Sequence, residues 1–218
     1  MRPELFDYDD SFERRTRRDR IFFNNPVIMQ GLGLAPIIVA ATTLKNAVML
    51  SVAVIPLLVL TRVIAAVLAR ATYFRFRGLT YSVTSAVVYI GVYFLMTKLF
   101  TAADLALLGL YLPLRVVDPI VLKRYERPQK ERVSTAFSKG VITALGFALT
   151  ICIVGGLREI LGAGALYGVQ LVKTPPFPMA AMPAGAFVLL AVLMAAWRGV
   201  VNTIKRQVEL EKGVRTGE

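Results

Sequence analysis

Six apolar blocks decide what this chain can become. They lie at residues 27–44, 46–69, 80–100, 103–122, 136–157 and 179–200, and each approaches the roughly 20 residues that a helix needs to cross a hydrocarbon core of about 30 Å. They run far past strand length and show no period-two alternation, so the spacing predicts helices rather than strands. Charged or turn residues mark the joints: Lys45 and Asn46, Arg70 to Gly78, Lys98, Lys123 to Arg132, Arg158 with Glu159, and Pro175-Pro176-Phe177-Pro178. Only one lysine separates the first two blocks. Composition agrees, with 56% hydrophobic and 18% charged residues against roughly 45–50% and about 25% in soluble domains. The sequence predicts an all-α membrane protein with six transmembrane helices.

The residue inventory removes much chemistry. The 218 residues include no histidine, so an imidazole ligand, a histidine base and a Ser-His-Asp triad are excluded. The single cysteine, Cys152, forms no internal disulfide, CxxC pair or zinc site; in the fifth block it reads as a small buried apolar residue. No catalytic side chain and no metal site is expected, and the chain is read as non-catalytic by itself.

The net charge of +12 would suggest nucleic acid in a soluble protein, but the positions of the basic residues argue otherwise. With a cytoplasmic N-terminus, the inner segments hold six, three, six and five Lys and Arg residues, and the outer segments hold only Lys45, Lys98, Arg158 and Lys173. Short basic loops stay on the cytoplasmic side during insertion, so both termini are expected inside and the protein in a bacterial cytoplasmic (inner) membrane. The same loops attract anionic lipid; membrane lipids are expected partners and nucleic acid is not. Residues 1–26 mix Asp7, Asp9, Asp10 and Glu13 with arginines and lack the apolar core of a signal peptide. They are read as a cytoplasmic tail, residues 27–200 as the membrane domain with repeats over 27–100 and 103–200, and residues 201–218 as a second cytoplasmic tail.

Blocks one and four carry internal breaks. The first contains Leu32-Gly33-Leu34-Ala35-Pro36, the fourth Leu108-Gly109-Leu110-Tyr111-Leu112-Pro113 and then Pro119. An interior proline removes a helical hydrogen bond and displaces the residue before it from helical geometry. Two interrupted segments, each opening a three-span half, read either as an inverted repeat with a functional site near the membrane midplane or as proline kinks that tune helix packing. In the fourth block Arg115 and Asp118 stand three apart, on one helical face where they can pair; near the cytoplasmic end, they read either as a structural pair at the interface, with Arg115 snorkelling, or, because ionisable residues in a span are costly, as an ion path or a partner contact. Near span ends, Lys45, Arg62, Arg158 and Glu159 read as snorkelling groups or a local salt bridge. Small-residue runs such as Gly155-Gly156 and Gly162-Ala163-Gly164 favour close helix packing.

Four stretches resemble a known family. These are Asn25 to Pro36, Leu110 to Val117, the block Gly156-Leu157-Arg158-Glu159-Ile160-Leu161-Gly162-Ala163-Gly164-Ala165-Leu166-Tyr167-Gly168, and Met182 to Phe187. They are similar to the six-helix subunits of the Rnf and sodium-translocating NADH:quinone reductase complexes, in the branch of the Rnf E subunit and its counterpart, the quinone reductase D subunit. The resemblance implies an inverted three-helix repeat, a homologous six-helix membrane partner, and further Rnf-like complex subunits. It also implies a [2Fe-2S] cluster held by cysteines from the broken helices of both partners. Here the matching positions are Ala35 and Pro119, which offer no thiolate, so the family cluster is expected to be absent. What the resemblance then implies is a subunit of an Rnf-like electron transport complex coupling electron transfer to sodium or proton translocation. The alternatives are a cluster-free transporter subunit for an ion or small solute, using Asp118 and Arg115, and a scaffold for other subunits.

Overall fold

The computed structural model describes residues 19–69, 71–119 and 132–216. The expected tail over 1–26 lies mostly outside them. The apolar blocks become helices: α1 (Pro26–Gln30) and α2 (Leu34–Val39) from the first block, α3 (Leu44–Leu68), α4 (Arg77–Leu99), α5 (Ala102–Leu108) and α6 (Tyr111–Leu114) from the fourth, α7 (Val133–Ala163) and α8 (Pro183–Thr216). A two-residue antiparallel hairpin, β1 (Ala165–Leu166) and β2 (Val169–Gln170), follows α7.

Among the described residues, four helices are long and apolar enough to cross a membrane: Leu44–Leu68, Gly78–Leu99, Val133–Ala163 and Pro183–Val208. At 1.5 Å per residue α3 alone spans about 37 Å. Blocks one and four instead divide into short helices. Proline alone does not explain the division, because Pro56 sits inside the unbroken α3. The divided blocks combine proline with glycine. In the first, Gly31 closes α1 and Gly33 (φ +67°) precedes α2; in the fourth, Gly109 adopts φ 45° and ψ −127°, a region that side chains with a Cβ avoid.

The joint between the first two blocks differs from the expected single lysine. The chain leaves helical geometry over residues 40–43, and Lys45 belongs to the first turn of α3. Thr43 caps α3 by accepting the Asn46 N–H at 3.2 Å, as a hydroxyl N-cap should. The end of the last block also differs, since α8 continues to Thr216 with no break near residue 200.

The core centres on the α3–α7 pair. Ala47, Leu50, Val54 and Leu57 pack with Ala144, Phe147, Ile151 and Val154, and Gly155 is what permits the approach, because a Cβ there would meet the Ala47 Cβ at 2.5 Å. Against this pair lie α4 and α8, each with an outer apolar face that includes Leu79, Val83, Val87 and Phe94 on α4 and Phe187, Val188 and Val192 on α8. Such faces suit lipid or a neighbouring membrane helix.

The described end of the N-terminal segment is fastened. Asn25, fully buried, caps α1 through its Oδ1, which accepts from Val27 N at 3.0 Å, and donates from Nδ2 to the Gly146 carbonyl of α7 at 2.9 Å. From α8, Trp197 Nε1 donates to the Phe22 carbonyl at 3.0 Å, and its ring stacks on Phe22 with 5.0 Å between centroids.

Candidate functional site

The short helix α2 is the centre of the candidate site: the Arg115–Asp118 pair lies beside Gly33 at its N-terminal end, and Arg158 binds carbonyls at its C-terminal end. Its six residues make a helix too short to stand alone. At its N-terminal end lies Gly33, and a Cβ there would come within 2.7 Å of Phe147 Cε1, 3.3 Å of Arg115 Nη1 and 3.4 Å of Asp118 Oδ1. Glycine is therefore required twice over, by its positive φ and by this close approach.

Arg115 and Asp118 form the expected ion pair. Arg115 Nη1 donates to Asp118 Oδ2 at 2.8 Å, with relative exposures of 0% and 8%. The geometry follows from α6 and the turn after it: Arg115 N bonds back to the Leu112 carbonyl and Asp118 N to the Arg115 carbonyl. The next segment is secured from α4, where Ser85 Oγ donates to the Val116 carbonyl at 2.7 Å. Helices α2 and α6 are neighbours, so the broken segments of blocks one and four meet here.

Arg158 and Glu159 do not form a local salt bridge. Adjacent residues on a helix point about 100° apart; Arg158 finds partners at the C-terminal end of α2, and Glu159 finds its own at the start of α3 and in the hairpin turn. Arg158, 1% exposed, donates to the carbonyls of Ile38 at 2.6 Å, Ala41 at 3.0 Å and Ile37 at 3.4 Å. It also donates to Ala180 and Ala181, both at 3.0 Å. A cation is thus set among the carbonyls that end α2, the favourable sign for a helix C-terminus. Glu159 accepts the Leu44 N–H at 2.8 Å and the Gly168 N–H at 2.9 Å. It thereby holds the first turn of α3 and the hairpin turn together, again with the favourable sign.

The remaining predicted residues fall around this frame. Ala35 is exposed in the first turn of α2, Pro36 is buried beside it, Pro113 is half-buried in α6, and Pro119 is buried at the end of the described segment. Cys152 is half-buried on α7 rather than fully buried, with Sγ 3.5 Å from Ser51 Oγ of α3. Arg62 is buried rather than snorkelling, at 4% exposure; Gly140 of α7 makes room for its Cδ. Lys45 reaches Asp104 at 2.6 Å and ties α3 to α5.

Sequence reasoning missed three contributors. Phe147 and Ser85 look like ordinary members of apolar helices, and no pattern marks them. Arg198 looks like a basic flank of the last block, yet its Nε donates to the Ile28 carbonyl at 3.0 Å and its Nη2 to Met29 at 3.2 Å. The free carbonyls that the Gly31-Gly33 break must create were the available signal.

Comparison with known proteins places these features. Residues 15–194 match the family model described as Rnf-Nqr subunit, membrane protein. The chain is 29% identical over 216 residues to the E subunit of the ion-translocating oxidoreductase complex of Pseudomonas paraeruginosa, covering 92% of this chain and 90% of the relative. It is 30% identical over 187 residues to the E subunit of the Na(+)-translocating ferredoxin:NAD(+) oxidoreductase complex of Acetobacterium woodii, covering 84% and 92%. The E subunit of the ion-translocating oxidoreductase complex of a Shewanella species matches at 30% over 205 residues, covering 86% and 88%. With the match running through both broken segments and the Arg158-Glu159 block, the chain belongs to the Rnf-Nqr family of membrane subunits.

Proposed function

We propose that this protein is a membrane subunit of an Rnf-like complex that couples electron transfer to sodium or proton translocation, and that it carries no iron-sulfur cluster of its own. In this reading it crosses a bacterial inner membrane six times as two inverted three-helix repeats, with both termini cytoplasmic. It pairs there with a homologous six-helix subunit and with the other subunits of the complex. The observation that carries the reading is the meeting of α2 with α6, interrupted helices from corresponding blocks of the two halves, around a buried ion pair. The named complexes of its relatives supply the coupled activity.

The donor set supports the absence of a cluster. Iron-sulfur clusters need thiolates, whereas the positions that match the family cysteines hold Ala35 and Pro119, and the charged groups beside Gly33 are a guanidinium and one carboxylate. The lone cysteine sits on α7 against Ser51. No step of electron transfer is routed through this junction.

The test is a mild-detergent pull-down of the tagged chain from native membranes, with identification of partners and assay of iron and acid-labile sulfide. Recovery of flavin- and iron-sulfur-bearing subunits is the expected result. Recovery of the chain alone, or only with a similar six-helix partner and no iron, overturns the redox reading in favour of a cluster-free ion or small-solute transporter. The buried carboxylate of Asp118 is the feature that favours that second reading. In either case Asp118→Asn should slow ion-coupled activity while abundance in the membrane is retained; unchanged coupling removes Asp118 from the ion path.

A further inference from the structure

The hairpin after α7 folds back along the helix that precedes it. Glu159 accepts the Gly168 N–H from the hairpin turn and the Leu44 N–H from the first turn of α3, so the turn and the start of that helix lie at one level. A Cβ at Gly156 would meet Leu44 Cδ1 at 3.8 Å and Leu166 Cδ1 at 3.9 Å. Gly156 and Glu159 lie below the end of α7 at Ala163 by about 10 Å and about 6 Å of helix rise. With its 25 residues, α3 exceeds a hydrocarbon core of about 30 Å by about 7 Å. Its first turn, and the hairpin turn bound to the same carboxylate, therefore stand at headgroup depth.

What the chain displays there is apolar. From Gly164 to Met182 the only charged residue is Lys173, where soluble chains carry about one charge in four residues. Tyr167, Val169, Leu171, Phe177, Met179 and Met182 are all exposed. The turn itself supplies an independent observation. Tyr167 takes φ 53° at the first central position of a two-residue turn, a place that Asn, Asp or Gly fills with less strain. Its side chain is 62% exposed, so packing within the chain does not account for an aromatic residue there. A tyrosine suits the membrane–water boundary, where its ring lies among the headgroups and its hydroxyl in water.

We propose that the hairpin between α7 and α8 is an interfacial membrane anchor, in which Tyr167, Val169 and Leu171 enter the headgroup layer of the leaflet at the C-terminal end of α7 while Gln170 faces water. Lipid is the partner that fits, because the patch continues through Met182 into the exposed Phe187 and Val188 of α8, and because a lone lysine offers no charge pattern for a protein surface to match. The depth stops at the headgroups, since strand edges carry open backbone groups that hydrocarbon does not tolerate. The inference rests on the hairpin's position and exposure and stands or falls apart from the electron-transfer reading.

The test uses the full chain with Cys152→Ser, which removes its one cysteine, carrying either Val169→Cys or Gln170→Cys, adjacent positions on opposite faces of β2. Each is labelled with bimane and reconstituted in phosphatidylcholine vesicles that contain a headgroup-nitroxide lipid, with aqueous iodide as the second quencher. The nitroxide-to-iodide quenching ratio at residue 169 should be about tenfold that at residue 170, the factor that burying one valine-sized side chain supplies. Equal ratios overturn the proposal, because the hairpin then has no lipid-facing side. A label at residue 169 that neither quencher reaches also overturns it, because protein, such as a second copy of the chain, then covers the patch. Should Val169→Cys fail to fold, Leu171→Cys takes its place with the same expected ratio and the same overturning results.

Discussion

The two ends of α2 are built from the same kind of part and differ in how completely it is used. At the C-terminal end Arg158 gathers the carbonyls of Ile37, Ile38 and Ala41 with those of Ala180 and Ala181, and beside it Glu159 meets the amides of Leu44 and Gly168. At the N-terminal end Arg115 has one partner among the described residues, Asp118, and two idle nitrogens. The first arrangement repairs the backbone where a helix is interrupted, as a bilayer core demands. The second makes no hydrogen bond to the backbone from its side chain and leaves two donors unfilled. Two equally buried arginines are therefore partnered differently in this one chain, and the count of filled donors tells them apart where burial does not.

The sharpest way to break the comparison is at the architectural end. Arg158→Leu leaves the carbonyls of Ile38, Ala41, Ala180 and Ala181 without their donor; with charged hydrogen bonds contributing about 1.5–3 kcal/mol each, a loss on the order of 5 kcal/mol is expected, and the chain should fail to accumulate in membranes. Asp118→Ala comes next. It strands the Arg115 charge, which costs about 3–5 kcal/mol and should lower the unfolding midpoint, whereas Asp118→Asn retains an acceptor and should fold close to normally. Glu159→Gln keeps an oxygen for one amide and loses the charge assistance, so a cost of about 1 kcal/mol is expected, measured by chemical unfolding in detergent. Lys45→Ala removes only the partly exposed contact with Asp104, and its midpoint should not move beyond experimental scatter. An Arg158 variant as mild as Lys45→Ala would dissolve the distinction between the two ends.

Much of this was legible in the sequence, for local reasons. The six blocks followed from hydropathy, the interruptions in blocks one and four from their interior prolines, and the Arg115–Asp118 pair from its i, i+3 spacing. What stayed hidden were contacts between distant residues and backbone groups. Arg158 and Glu159 are neighbours of opposite charge, so a mutual salt bridge was the natural reading; their real partners are carbonyls and amides, which every sequence contains and no pattern marks. Arg198 was hidden in the same way. Proline signalled a break in two blocks but not at Pro56, where the helix continues and no glycine stands beside it.

The fastening of the first block has a consequence for the order of events during synthesis. The carbonyls left free around α1 and α2 are taken up by Arg158 and Arg198, and the chain just before them by Trp197. All three residues leave the ribosome well over a hundred residues after the segment they hold. The α1–α2 segment thus acquires these neighbours only late, and a nascent chain halted before α8 would present it unfinished to whatever membrane quality control surveys it.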